Sequence, residues 1–107
     1  MALTRDFRET IQKRAQCEPA FRKALLQEGV ECLLAGDVGT GKAILRDYIN
    51  ATIGFAGVSA AFNKSSKSLM RMFGPNGNPQ ANNLFAVISY LQEQEGVHLE
   101  VKARKVA

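Results

Sequence analysis

Apolar side chains recur every three or four residues along most of this chain, which is the spacing of one face of an α-helix. A first helix is predicted to begin at Thr4, with Phe7, Ile11 and Ala15 on one side of it. Pro19 suits the first turn of a second helix, because that turn leaves its N–H groups unpaired and proline has none. The predicted inward positions of the second helix are Phe21, Leu25, Gly29, Cys32 and Leu33.

Glycine residues mark the ends of the second and third helices. Gly36 ends the second helix, and Asp37 can cap the third by accepting a hydrogen bond from a free N–H group of its first turn. Gly54 closes the third helix. Its predicted inward positions are Ile44, Leu45, Tyr48, Ile49 and Ile53.

A loop rich in glycine, asparagine and proline precedes the final helix. Asn78 is predicted to cap this helix, and Pro79 to occupy its first position. The helix is expected to stop near Gly96. Its predicted inward positions are Leu84, Val87, Ile88 and Leu91.

The segment 97–103 changes period, because apolar residues at 97, 99 and 101 alternate with polar residues. Such alternation predicts a β-strand, and a lone strand needs a partner for its backbone groups. The partner can be the same strand of a second copy, which would make an antiparallel homodimer, or a strand of another protein. The alternative is an ordered arm that lies on its own domain.

Residues 55–74 carry the spacing of a helix-turn-helix. With Phe55 counted as the first position, apolar residues fall at positions four, eight, fifteen and eighteen, and a small residue falls at five, where the second helix must pack closely. The ninth position needs a residue that tolerates positive φ, as asparagine does. The predicted core of the motif is Val58, Ser59, Phe62, Asn63, Leu69 and Met72.

The polar residues of the same segment suit DNA. Ser65 or Ser66 can cap the second helix, Lys64 in the turn can reach a phosphate, and arginine can grip O6 and N7 of a guanine. No Asp or Glu occurs from Tyr48 to Gln92, although the chain has ten acidic residues, and carboxylates there would repel the DNA backbone. The predicted DNA-binding residues are Lys64, Ser65, Ser66, Lys67, Met70 and Arg71.

Composition narrows the class of protein further. A chain of 107 residues with 46% apolar residues and a net charge of +4 is the size of one domain that can bury a core. It has no apolar run long enough for a membrane span and no signal-peptide pattern at its start, so we expect a cytoplasmic protein with no membrane partner. Cys17 and Cys32 lack partners at metal-ligand spacing, and we expect free thiols and no metal site.

Two patterns could suggest catalysis. The run from Gly36 to Lys42 has the spacing of a nucleotide-binding loop, but Ala43 follows where a hydroxyl should, and a helix precedes it instead of a buried strand. We therefore interpret it as a glycine-rich corner with a solvated Lys42 and expect no cofactor. His98 is the only histidine, and no Cys or Ser nucleophile neighbours it in the sequence, so it forms no catalytic pair. We predict no enzyme, and we expect the following carboxylates to be surface charges: Asp6, Glu9, Glu28, Glu31 and Asp47.

Segments 33–54, 67–79 and 83–88 resemble the addiction-module antidote family of Xre-type helix-turn-helix regulators, most specifically through Ser-Leu-Met-Arg-Met-Phe-Gly-Pro from Ser68 and Gly-Asn-Pro ending at Pro79. The resemblance implies a small bacterial or phage-borne repressor that binds its own operator as a dimer and neutralises a toxin of the RelE/ParE type. It also implies a recognition helix over 66–73. A bound toxin would contact the N-terminal helices or the terminal strand.

These observations together predict a mostly α fold, a five-to-six-helix bundle with a lambda-repressor-like helix-turn-helix and a short C-terminal β-strand. Residues 1–107 form one domain, with N-terminal helices in 1–54, the motif and the following helix in 55–96, and the strand in 97–103. The predicted function is sequence-specific DNA binding by an antitoxin and autorepressor. The alternative is a protein-interaction module that binds a toxin or another partner without DNA.

Overall fold

The computed structural model describes residues 5–106, and in this range the chain forms six helices and no strand. The mostly α bundle of five to six helices predicted from the periodicity is confirmed in its helical part. The helices are α1 (Arg5–Cys17), α2 (Pro19–Leu34), α3 (Val38–Ala51), α4 (Gly54–Phe62), α5 (Ser66–Met72) and α6 (Ala81–Glu95). The predicted start of the first helix at Thr4 lies outside the described residues.

Helices α2 and α3 pack closely because glycine faces the neighbouring helix on both sides of the contact. A Cβ at Gly29 would lie 2.9 Å from a methyl carbon of Leu45, and a Cβ at Gly41 would lie 2.8 Å from a methyl carbon of Leu33. Gly41 belongs to the glycine-rich corner, so this glycine serves helix packing. Residues 38–42 of the run with phosphate-loop spacing lie within α3 itself.

The predicted starts of both helices and the predicted end of α2 are confirmed. The predicted end of α3 at Gly54 is wrong, because the backbone leaves the helical conformation at Thr52 and Gly54 begins α4. Proline begins α2 at residue 19. At the corner, Gly36 has a φ of +86°, a conformation that side-chain-bearing residues rarely adopt. Asp37 then caps α3, and its Oδ1 accepts a hydrogen bond from the N–H of Thr40 at 3.3 Å.

The core of the bundle confirms most predicted inward positions and adds others. Leu25, Leu45 and Ile49 are buried, as expected, and Leu26 is buried as well. On α1, Ala15 is fully buried while Phe7 is half exposed. All four predicted inward residues of α6 are buried, so the helical period identified its packing face.

The start of α6 differs from the prediction. Gln80 is the residue that precedes the helix, and it makes no side-chain cap. The predicted cap at Asn78 and helical Pro79 were therefore wrong, because the backbone stays extended through residue 80. The predicted end is confirmed, since Gly96 follows α6 with a φ of +73°.

The C-terminal strand predicted for residues 97–103 is not found in the single chain. The start of this segment lies on its own domain: Val97 and Leu99 are partly buried against the core, and the N–H of Leu99 donates to Oε1 of Gln92 at 2.8 Å. Beyond it, Val101 is 82% exposed. Two of the alternating apolar side chains thus contact the core. No strand in the described part of the chain pairs with the segment.

A partly buried network of polar side chains joins α2, α3 and α6. Arg22 donates from Nε to both carboxylate oxygens of Glu95, at 2.8 and 3.0 Å, and the hydroxyl of Tyr48 donates a short hydrogen bond to the same carboxylate. The side chain of Glu95 is only 4% exposed. Burial raises the pKa of Glu95, but the hydrogen bonds from Arg22 and Tyr48 outweigh it, so this pKa lies below its ordinary value.

One predicted surface charge is in fact buried. Asp47 is 5% exposed, so its assignment to the polar face of α3 was wrong. Burial raises the pKa of this carboxyl group, and the nearby charges of Arg46 and Arg8 oppose the rise. The cause of the error is its place on α3, which contacts α1 as well as α2 and therefore has a wider buried face than one stripe.

None of the helices in residues 5–106 is long and apolar enough to cross a membrane. Both cysteines are free thiols in the structure.

Candidate nucleic-acid interface

Helices α4 and α5 are joined by a three-residue turn at the position predicted from the motif spacing. Asn63 adopts a left-handed conformation with a φ of 53°, and it is the only non-glycine residue between 5 and 106 with a positive φ. Ser59 fastens the turn, because its hydroxyl donates a short hydrogen bond to the carbonyl of Lys64 while its own carbonyl accepts the N–H of Lys64 at 3.3 Å. The small residue in α4 therefore closes the turn as well as leaving space for it.

The apolar side of this helix pair is held in the core. Val58 and Leu69 are fully buried, and Phe62 and Met72 are partly buried against the core. Phe62 packs edge-on against Tyr90 of α6, with 5.4 Å between the ring centres. The pair thus contacts α6, and α4 also packs against α3.

Two phenylalanines outside the predicted core of the motif are also buried in this region. Phe55 and Phe73 are 4% and 1% exposed, and their ring centres lie 6.2 Å apart. They stand at the first position of the motif and directly after α5. An apolar aromatic at each end of the motif was the signal that could have identified them.

The N-terminus of α5 is capped by Ser65, which resolves the choice between Ser65 and Ser66. The Ser65 hydroxyl oxygen accepts a hydrogen bond from the N–H of Ser68 at 3.1 Å, and the same hydroxyl pairs with the Ser68 hydroxyl at 2.9 Å. A cap matters more for α5 than for the longer helices, because a helix of seven residues is marginal without external contacts.

The remaining predicted DNA-binding side chains stand at the solvent side of α5 and the turn. Lys64, Lys67 and Arg71 are exposed, and Met70 is 49% exposed. Ser66 is partly buried. We call the exposed side chains of Lys67, Met70 and Arg71 the α5 face.

The cations of this region are not neutralised. Within residues 5–106, Lys64, Lys67 and Arg71 form no ion pair, and Asp47 and Glu93 are the nearest acidic residues along the chain. The described part of the chain also contains no cluster of side chains that could hold a metal ion. The α5 face can therefore offer hydrogen-bond donors, positive charge and an apolar tip to an anionic partner.

Lys42 lies in a different environment from the one predicted for it. It is 5% exposed, so the prediction of a solvated lysine was wrong. Its Nζ donates to the carbonyl oxygens of Gly74 and Gly77, at 2.9 and 2.6 Å. Both acceptors belong to the loop directly after α5.

A signal for this burial was present in the sequence. Lys42, Leu45 and Ile49 are spaced three and four residues apart, so they share one face of α3, and the two apolar residues are fully buried. A lysine on an apolar face is expected either to extend to solvent or to find buried acceptors. The loop carbonyls are those acceptors, and only the folded chain brings them together.

A shallow cavity of about 420 Å³ lies elsewhere in the molecule, and α4 and α5 contribute none of its lining. It lies beside the Arg22, Tyr48 and Glu95 network. The side chains of the α5 face are exposed, and such an open surface suits a large partner better than a small ligand.

No protein-family model, curated protein or solved structure matches this chain.

Proposed function

We propose that the chain is a sequence-specific DNA-binding protein of the lambda-repressor-like helix-turn-helix type, with α5 as its recognition helix. The observation that carries this proposal is the α5 face: an exposed lysine, methionine and arginine on one short helix, in a stretch of forty-five residues without a carboxylate. Arginine and lysine suit guanine and phosphate, and a methionine side chain suits a thymine methyl.

Helix geometry supports the same reading. The N-terminal part of a recognition helix contacts base edges. Here this part is capped by Ser65 and contains Lys67 as its second helical residue. Lys64 in the preceding turn stands where a phosphate contact is expected. The two exposed cations of α5 are four residues apart, which puts them on the same side of the helix.

The biological role is proposed from the resemblance to addiction-module antidotes: repression of the chain's own operator as a dimer and neutralisation of a RelE/ParE-type toxin. Helix-turn-helix dimers bind half-sites about one helical turn apart. The residues of the α5 face support the DNA part alone. The alternative, a module that binds only a protein partner, predicts no preferred duplex.

Selection from a random-sequence duplex pool tests DNA binding directly. We expect the wild-type chain to enrich one sequence, with two symmetric half-sites if it binds as a dimer. Arg71→Ala should weaken binding to the selected duplex by about 1 to 3 kcal/mol, which is typical of a bidentate contact to guanine. Arg8→Ala on α1, an exposed arginine outside α4 and α5, is the matched control and should change binding little.

Salt dependence separates phosphate contacts from base contacts. Lys64→Ala should weaken binding to all duplexes alike and lower the salt slope by about one. Lys23→Ala removes the same charge from α2 and should leave the slope unchanged. If neither Arg71→Ala nor Lys64→Ala alters binding, or if the pool yields no enriched sequence, the recognition helix is assigned wrongly.

The antitoxin role has its own test. We expect an adjoining reading frame that encodes a basic chain of about the same size as this domain, since an antitoxin is usually encoded beside its toxin. Co-expression should yield a stable complex and relieve growth arrest. Free growth of cells that express the neighbouring chain alone would refute this part while leaving DNA binding intact.

A further inference from the structure

Lys42 places a buried positive charge beneath the C-terminal end of α5. Its two acceptors, the carbonyls of Gly74 and Gly77, frame the loop that leaves this helix. A carbonyl oxygen is a neutral partner, so this ammonium group is hydrogen-bonded without being neutralised. The free-energy cost of burying a charge with such partners exceeds that of burying an apolar residue. A functional role for Lys42 would account for this cost.

The loop that Lys42 holds rests directly on the backbone of Arg71. The N–H of Gly74 donates to the carbonyl of Arg71 at 3.1 Å, and a Cβ at Gly77 would overlap the same carbonyl oxygen. Gly77 is therefore in close contact with the peptide unit that carries the arginine of the α5 face. The contact runs from α3 through Lys42 and the loop to Arg71.

Helix α5 needs such a support because it is short. Seven residues form fewer than two turns beyond the cap, so the orientation of the helix must come from tertiary contacts. Leu69 anchors its middle, and Ser65 caps its start. A positive charge near the C-terminus of a helix also interacts favourably with the carbonyl end of the helix dipole.

We propose that Lys42 is a positioning residue for DNA recognition: it holds the 74–77 loop against the backbone of Arg71 and thereby sets the direction in which the Arg71 side chain leaves α5. This inference rests on the proposed function and adds to it a residue that touches no DNA. Its consequence is that Lys42 affects discrimination between sequences more than general attraction to DNA, because a misaimed arginine still attracts phosphates.

Lys42→Met tests this role, since methionine fills similar space without the charge or the donors. In protein shown to be folded by circular dichroism, we expect the dissociation constant for the selected duplex to rise at least about tenfold, the equivalent of 1.4 kcal/mol. Binding to an unrelated duplex should change less than about twofold. Lys42→Arg keeps two donors and should recover most of the selected-duplex affinity.

A double variant distinguishes positioning from general loosening. If Lys42 acts through Arg71, Lys42→Met should add little to Arg71→Ala, because coupled residues are not additive. The inference is overturned if the folded Lys42→Met variant binds the selected duplex as tightly as wild type. It is also overturned if both duplexes lose affinity equally, or if the two substitutions add fully.

Gly77→Ala gives a second route to the same measurement if Lys42→Met does not fold. The added methyl group presses on the Arg71 carbonyl while Lys42 stays in place, and the same selective loss is expected. Unchanged affinity of Gly77→Ala for the selected duplex would overturn the inference. A failure of Arg71→Ala to weaken that duplex would instead refute the proposed function, so the two failures can be told apart.

Discussion

Two cations, the buried Lys42 and the partly buried Arg22, show how differently this small domain treats positive charge in its two parts. Arg22 is paired with the carboxylate of Glu95 and with the carbonyl of Ala15, so its charge is balanced within the bundle. Lys42 has only neutral carbonyl partners. The part of the chain that would face DNA thus keeps even its buried cation free of a carboxylate.

The two cations therefore have different expected roles: Arg22 in stability, and Lys42 in DNA binding. A carboxylate beside Lys42 would stabilise the ammonium group, but it would also weaken the positive potential near α5. At the Arg22 position no such conflict exists, and there the ion pair is accompanied by a buried tyrosine hydroxyl. We therefore expect substitutions in the Arg22 network to change stability and substitutions around α5 to change DNA binding.

The largest expected effect follows from removal of the carboxylate charge. Glu95→Gln should lower the free energy of unfolding by about 2 to 3 kcal/mol, because Arg22 loses its counter-ion in a mostly buried position. Urea denaturation measures the change, and the folded variant should still bind the selected duplex normally. Glu93→Gln, at an exposed position of the same helix, is the control, and an equal loss for both variants would contradict the comparison.

The cap of α5 is the next test, on the recognition side. Ser65→Ala should lower stability by about 1 kcal/mol, a typical cost for a lost N-cap, and it should also weaken binding to the selected duplex. Ser89→Ala, at an exposed site inside α6, removes the same hydroxyl without removing a cap. Equal behaviour of the two variants in thermal unfolding and in binding would show that the Ser65 contact is unimportant.

Asn63, in the turn between α4 and α5, offers an effect on stability of about the same size. Its φ of 53° is unfavourable for most side chains, so Asn63→Ala should be about 1 kcal/mol less stable than Asn63→Gly. The comparison is made by chemical denaturation of the two variants. If the alanine variant proves as stable as the glycine variant, the turn does not depend on the left-handed conformation.

The smallest effect is the pH dependence of the Glu95 contribution. Because the pKa of Glu95 is lowered in the folded state, the stabilisation is present above the ordinary carboxyl pKa and is lost as the pH falls through the lowered value. The stability difference between wild type and Glu95→Gln should therefore narrow on acidification.

Asp47 acts in the opposite sense, since its raised pKa makes stability fall as the pH rises. Asp47→Asn should therefore weaken that fall. Urea titrations across an acidic pH series measure both, and a constant wild-type to Glu95→Gln difference would contradict the assignment.

Local chemistry explains which predictions from the sequence were confirmed. Helix ends at Pro19, Asp37 and Gly96 depend on one residue and its immediate backbone, and each is found where the pattern predicts it. The same holds for the left-handed Asn63 and the cap at Ser65. These features need no contact with a distant part of the chain.

Predictions that required knowledge of distant neighbours were not confirmed. The polarity of Lys42 and Asp47 suggested solvent, yet both are buried, because charge alone does not reveal acceptors or helices that arrive from elsewhere. The alternation in 97–103 suggested a strand, yet the segment begins by packing on α6 through Gln92. Alternation of apolar and polar residues shows which side chains point to the same side. It does not show whether a second strand is present to form the backbone hydrogen bonds of a sheet.

The sequence by itself determined the six helices, most of their inward faces, the turn at Asn63 and the absence of carboxylates around α5, since all of these follow from residue type and spacing. Tertiary structure alone decided that Lys42 reaches under the loop after α5 and that Glu95 joins Arg22 to Tyr48. Those contacts link residues more than thirty positions apart. The energy of a buried charge depends on which groups surround it, and that arrangement exists only once the helices are packed.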